Sequence, residues 1–165
     1  MSLYIMRFAE LAEQMAESTE GQRKSELKMI AQNCYQLESQ APETFWEGLQ
    51  FLYFLLVGCL MEGNGPSYSP GRVDQYLYSL YDADIDEGRL TMAQTLELIE
   101  AFYIKTAETT WFLSENACMY FAGYQPFHST IVGGVDKHGR DCTNATQIGR
   151  ASLGKECRSR WSPYH

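Results

Sequence analysis

The stretch Glu62-Gly63-Asn64-Gly65-Pro66-Ser67-Tyr68-Ser69-Pro70-Gly71-Arg72 concentrates groups suited to contacting a small molecule. Three glycines and two prolines in eleven residues cannot propagate a helix, so the segment is a loop. Gly63, Gly65 and Gly71 supply backbone freedom, Ser67, Tyr68 and Ser69 supply hydroxyls, and Arg72 and Asp74 follow with opposite charges. Small donors on a loop that leaves an apolar helix suit the wall of a polar pocket. The plainer alternative is a helix connection in which Arg72 and Asp74 form a structural ion pair. A phosphate cradle is excluded, because the loop lacks a preceding strand, a GK[ST] ending and GxGxxG spacing.

The five cysteines, Cys34, Cys59, Cys118, Cys142 and Cys157, include no CxxC pair, and no Cys/His cluster has metal-ligand spacing. Free thiols in a reducing compartment are expected. Cys34, Cys59 and Cys118 fall among apolar residues of predicted helices, where Cys acts as a small hydrophobe, so core packing is expected of each. Of the histidines His128, His138 and His165, His138 belongs to a turn and should be solvated. His128 lies beside a β-prone run and is either a satisfied structural histidine or a group facing a substrate cavity. Asp82, Asp84, Asp86 and Glu87 match neither a metal loop nor a catalytic dyad and are expected as solvated carboxylates at a helix end.

The elements that must position these groups can be read from the apolar pattern. The 165 residues bound the chain to one domain or part of one, and 45% hydrophobic with 13% aromatic content is enough for a real core. A net charge of -8 excludes a general nucleic-acid binder and argues against docking on anionic membranes. Met1 to Glu10 mixes charge into a helical pattern, so no secretory signal is expected there. The apolar stretch Phe51 to Met61 falls short of the roughly 20 residues that span a bilayer. A soluble, cytoplasmic protein is expected.

Phe8, Leu11, Ala12 and Met15 predict a first helix with that face inward. A second runs from about Gln22 to Leu37 with Leu27, Ile30, Ala31 and Cys34 inward. Pro42 opens a third, to about Met61, apolar nearly all round after Leu49 and therefore enclosed by other elements. Val73 to Asp84 is helical with Tyr76, Leu77, Leu80 and Tyr81 on one side. Thr91 caps a last long helix, Met92 to about Phe112, with a mostly buried surface. The run from His128 to Val132 is a short strand, and Asp136 to Arg140 a turn. A single strand has nothing in this chain to pair with. The sequence is mainly α and reads as the opening helical layer of something larger.

Several segments then coincide with one family. Pro42-Glu43-Thr44-Phe45-Trp46-Glu47-Gly48-Leu49-Gln50 resembles the PxTFWEALQ segment of glycyl radical enzymes. The stretch from Glu62 to Tyr78 is similar to their ESNGHSxSxGRxDQYxYP segment. Phe121-Ala122-Gly123-Tyr124 and the stretch from Gly133 to Asn144 resemble their FAGY and GGxxxxGRDATN blocks. Order and intervals agree over about residues 3 to 145, and the branch is that of pyruvate formate-lyase and the glycerol and diol dehydratases.

The resemblance implies a partial piece of a ten-stranded α/β barrel, contributing helices plus one or two short strands. In the family a thiyl radical on a finger-loop cysteine abstracts substrate hydrogen. It is regenerated from a glycyl radical installed by an S-adenosylmethionine-dependent iron–sulfur activase. Both radical residues lie downstream of the matched stretch, so no catalytic residue and no bound cofactor is expected in this chain. Cys142 stands where the family usually has Ala. The family's substrate-pocket serine falls on Ser67, and the His usually before it is Pro66 here.

Residues 1–145 are the expected partial domain. Residues 146–165 gather Arg150, Lys155, Arg158 and Arg160 without periodicity, a non-matching tail that a frameshift or truncation explains. The implied function is a fragment of a lyase that cleaves C–C, C–O or C–N bonds by radical chemistry in a small substrate. Examples are pyruvate with coenzyme A, or a polyol; the fragment should be inactive alone. In the intact enzyme the partners would be the substrate and the activating enzyme, not nucleic acid or membrane; the isolated piece should form a homo-oligomer or aggregate. The alternative is a non-catalytic helical module that docks on a full-length homologue.

Overall fold

The computed structural model describes residues 1–63, 68–109, 114–120 and 130–147. The elements are α1 (Ser2–Glu17), α2 (Gly21–Ser39), α3 (Phe45–Gly63), β1 (Gly71–Arg72), α4 (Val73–Tyr76), α5 (Tyr78–Asp86), α6 (Met92–Ala107), α7 (Glu115–Cys118) and β2 (Thr130–Ile131), with a 3-10 turn at Ala145–Gln147. The chain is mainly helical with short strands, as its sequence predicts.

Helices α1 and α2 form a hairpin. The buried residues of α1 are Ile5, Ala9, Ala12 and Ala16, while Phe8, Leu11 and Met15 are 40%, 48% and 44% exposed. The inward face is therefore rotated from the predicted one. Three alanines on one stripe give α1 a side without bulk, and α2 buries Leu27, Ala31 and Cys34 as expected, with Leu37 added and Ile30 only half-buried. The connector closes α1 through its hydroxyls, with Ser18 Oγ donating to Met15 O at 3.1 Å and Thr19 Oγ1 at 2.7 Å.

Helix α3 starts at Phe45, three residues after Pro42, because Thr44 and Glu47 build a capping box there. Glu47 Oε2 accepts from Glu43 N at 2.7 Å and Thr44 N at 3.1 Å, and Glu47 N donates to Thr44 Oγ1 at 3.3 Å. Its apolar faces are divided between two clusters, but the expected enclosure is not met among the described residues, since Leu55, Cys59 and Met61 are exposed. Phe54 joins Ile5, Ala9, Cys34 and Leu37 in one cluster. Phe45 and Leu49 join Leu77, Tyr81, Ile99 and Phe102 in the other. At Gly48 a Cβ would stand 2.8 Å from Leu77 Cδ2, so glycine permits the close approach on this side. The helix is also longer than its apolar stretch suggested. With 19 residues and a mean hydropathy of 1.2 it is long and apolar enough, by length and composition, to cross a membrane. The helix gains its length by beginning before Phe51 and running on to Gly63.

The predicted helix over Val73 to Asp84 is two pieces joined at Leu77. Helix α6 opens on the predicted cap: Gln94 N donates to Thr91 Oγ1 at 3.3 Å and Thr91 N to Gln94 Oε1 at 2.9 Å. It ends at Ala107, short of Phe112, and it is one-sided, burying Thr95, Ile99, Phe102 and Thr106 while Ile104 is 63% exposed. The strand near the C-terminus is not alone. β2 pairs in parallel with β1, Gly71 opposite Thr130 and Arg72 opposite Ile131. The sequence missed the pairing because a two-residue strand containing glycine carries no alternation.

Asp84, predicted as a solvated carboxylate, is 3% exposed. Its Oδ2 accepts from Phe45 N at 2.8 Å, and its Oδ1 accepts from Arg89 Nε at 2.8 Å and Nη2 at 2.7 Å. It thus supplies an acceptor at the amino end of α3 from 39 residues away. Asp82, Asp86 and Glu87 are exposed, as predicted. Replacing Asp84 by Ala strands the buried Phe45 N–H and releases Arg89. Asp84→Ala should cost about 2–3 kcal/mol in urea-induced unfolding, and Asp82→Ala on the same helix less than about 0.5 kcal/mol.

Candidate functional site

The chain leaves the Gly-rich loop through Pro70 and enters β1. Tyr76, one turn on, donates its hydroxyl to Pro70 O at 2.9 Å, and burial pushes that phenol up to about 12. Tyr68 folds back so that its hydroxyl occupies the space a Cβ would take at Gly63. Both ends of the loop are thereby pinned. Ser67, the predicted pocket residue, lies outside the described residues, as do Asn64, Gly65 and Pro66.

The residues just after the loop do most of the joining. Arg72 Nη2 donates to Gly133 O at 2.7 Å and Nη1 to Val135 O at 3.4 Å. Asp74, 3% exposed, accepts at Oδ2 from Gly133 N at 2.6 Å and from Gln75 Nε2 at 2.9 Å. Gln75 Nε2 also donates to Cys142 O at 2.8 Å. The main-chain oxygen of Asp74 accepts from Asn144 Nδ2 at 2.8 Å and Thr146 Oγ1 at 3.5 Å. Among the described residues no ion pair joins Arg72 to Asp74. The predicted pair is replaced by two side chains that each hold backbone. The buried Arg72 Nε has no hydrogen-bond partner among the described residues.

The segment they hold is built to turn. Gly133 and Gly134 have φ of 68° and 85°, a conformation that favours glycine. Val135 and Asp141 then bridge antiparallel across the predicted turn. Asp136 closes it, accepting from Arg140 N at 2.9 Å, His138 N at 2.7 Å and Arg140 Nε at 2.8 Å. These bonds, the Arg140 N–H first, hold its carboxyl below the ordinary Asp range. His138 is exposed, as predicted.

Beneath this joint lies a cavity of about 30 Å³ bounded by Phe45, Val73, Asp74, Phe102, Val132 and Thr146. That is room for a water molecule, not a substrate. Among the described residues no group of three or more His, Cys, Asp or Glu side chains could hold a metal ion. The arrangement fixes backbone; it contains no nucleophile with a base beside it.

The thiols separate by environment. Cys34 is buried, as predicted, and Gln50 Nε2 donates to its Sγ at 2.9 Å and to Ile30 O at 3.2 Å. Burial outweighs that bond and pushes the thiol up to about 11. Cys59 is exposed, which corrects its predicted place in the core: it lies on the part of α3 beyond both clusters. The side chain of Cys118 lies outside the described residues, as do His128, His165 and Cys157. Sequence reasoning missed Gln75 and Thr146, since an amide and a hydroxyl carry no signal until their backbone partners are known.

A profile of the Pyruvate formate lyase-like family matches residues 1–148. The chain is 40% identical over 144 residues to the (2S)-3-sulfopropanediol dehydratase of Klebsiella oxytoca, covering 86% of this chain and 17% of that protein. It superposes on a glycyl radical enzyme from Archaeoglobus fulgidus with a TM-score of 0.87 at 33% identity, covering 95% of this chain and 20% of that one. A Roseburia inulinivorans structure described for 1,2-propanediol dehydration gives a TM-score of 0.86 at 36% identity, over 92% of this chain and 18% of that one. The chain spans about a fifth of the length of these proteins.

The thiol chemistry is directly measurable. At pH 8 Cys34 should carry roughly one thousandth of its thiol as thiolate, with a further tenfold rise per pH unit up to about 11. Alkylation followed by peptide mass spectrometry should label Cys59 promptly and leave Cys34 unmodified in the folded chain; equal rates would contradict the buried placement.

Proposed function

Because the chain belongs to the pyruvate formate lyase-like family of glycyl radical enzymes, we propose that it is the amino-terminal part of a radical lyase and supplies the pocket wall, not the radical carriers. The observation that carries this reading is the superposition over 95% of the chain on a fifth of a glycyl radical enzyme. Residues 1–145 are then the proposed partial domain and residues 146–165 a tail whose first residues still join it, since the family match runs to residue 148 and Thr146 bonds to Asp74 O. A small hydroxylated substrate, of the kind the dehydratase relatives are named for, fits a loop offering Ser67, Tyr68 and Ser69 better than it fits a general anion site. Pyruvate cleavage with coenzyme A is the other reaction class within the family. A cytoplasmic location goes with this reading.

Ser67 is the residue proposed to touch the substrate, donating or accepting a hydrogen bond at a hydroxyl or carboxylate. The glycyl radical, when an S-adenosylmethionine/iron–sulfur activase has installed it elsewhere in an intact enzyme, supplies the hydrogen abstraction. The described residues offer no cluster to hold an iron–sulfur centre. The thiol of Cys34 is pushed up by burial and closed off by Gln50, which suits it to packing. Substrate and activase are accordingly partners of the intact enzyme, and the chain by itself is proposed to be inactive. Ile104, Ile131 and Val135, all more than half exposed, favour self-association of the isolated piece.

Incubation of the purified chain with a competent activase and S-adenosylmethionine should yield no glycyl radical doublet by electron paramagnetic resonance; a doublet would sink the proposal. In an intact enzyme carrying the same loop, Ser67→Ala should cost about 1–3 kcal/mol in kcat/KM. Unchanged kcat and KM would make the loop purely structural.

A further inference from the structure

The geometry points to Arg72 and Asp74 as positioning residues that grip the two peptide units flanking the Gly133 Cα and so fix the register of the parallel strand pair. Asp74 takes the Gly133 N–H at 2.6 Å and Arg72 takes the Gly133 C=O at 2.7 Å. The pair β1–β2 has only two residues on each side, Gly71 opposite Thr130 and Arg72 opposite Ile131. So short a ladder cannot specify its own register, and a slip by one residue would turn every strand side chain to the opposite face. The next residues along, Gly133 and Gly134, are those with most backbone freedom to lose. Holding the N–H of the unit before Gly133 and the C=O of the unit after it fixes the φ and ψ rotations of Gly133 itself.

The two grips are of different kinds. A carboxylate on an N–H is charge-assisted and short, and it needs only an oxygen acceptor at that place. The guanidinium spans two carbonyls, Gly133 O and Val135 O, which a point charge on a flexible stem would not do equally well. Neither function requires the other residue as a charge partner. This separates the clamp from the ion pair that the Arg-x-Asp spacing suggests.

The consequence for function rests on the reading of Ser67 given above. Ser67 precedes Gly71 by four residues in the chain, so the register of β1 against β2 sets where the pocket loop ends. Arg72 and Asp74 then act on substrate only through the backbone.

Residue-level amide hydrogen exchange on the full chain tests the clamp without any activity assay. Asp74→Ala should speed exchange of the Gly133 amide about tenfold or more, while Ala9 and Ala31 in the helical hairpin change less than about twofold. Asp74→Asn keeps an oxygen acceptor and should restore most of that protection, even if Asp74→Ala destabilises the chain too far to be read. Arg72→Lys combined with Asp74→Asn should speed Gly133 exchange by less than the product of the single effects, because both side chains hold the backbone of one residue. A rise spread equally over α1 and α2, an Asn variant no better protected than the Ala variant, or a fully multiplicative double variant would overturn the proposal. None of these readouts involves Ser67, so failure of the clamp and failure of the pocket assignment are separate results.

Discussion

The bond from the Gly133 N–H to the Asp74 carboxylate joins parts of the chain 59 residues apart, and the sheet side of the molecule is arranged around it. Asp74 is almost wholly removed from water, where a carboxylate without donors would cost several kcal/mol. Its donors include a backbone N–H and the Gln75 amide, and its own main-chain oxygen is bonded in turn by Asn144 and Thr146. The short helix α4 therefore works as a hub. Gly133, Cys142, Asn144 and Thr146 are referred to it by hydrogen bonds, while Ala145 packs against the hydrophobic cluster.

A second buried carboxylate does for the helices what Asp74 does for the strands. Asp84 sits between the start of α3 and Arg89, so that the turn after α5 is tied to the end of a helix far away in sequence. Helix α3 is the shared wall of both hydrophobic clusters. The division of labour is physical. Apolar area supplies most of the driving force and is indifferent to register, whereas the two aspartates select one arrangement among those that would bury similar area.

What was legible in the sequence was local. The Thr91 cap of α6 and the Leu27, Ala31 and Cys34 positions of α2 are short-range patterns and stand as read; the reciprocal bond from Gln94 was not read. The face of α1 was misread because ranking residues by hydrophobicity selects Phe8, Leu11 and Met15, while close helix approach selects alanine. Asp84 was lost among neighbouring acids because its partner is 39 residues away. β1 is two residues long, below any periodicity. The motif blocks around Asp74 and Asn144 were visible through the family resemblance, yet nothing in their spacing said that one would bond the other's backbone. Ser67 was readable only by that resemblance.

The hairpin of α1 and α2 has one further consequence, which concerns the order of assembly. Its two helices are separated by the three residues Ser18 to Glu20, so its contacts are among the nearest in sequence that the fold contains. Closing so short a loop costs little chain entropy, and helical hairpins of low contact order form rapidly. The strand pair must wait for a loop nearly twenty times longer to close. During synthesis from the amino end, the alanine-lined hairpin is therefore expected to stand as a preformed platform well before residue 130 exists.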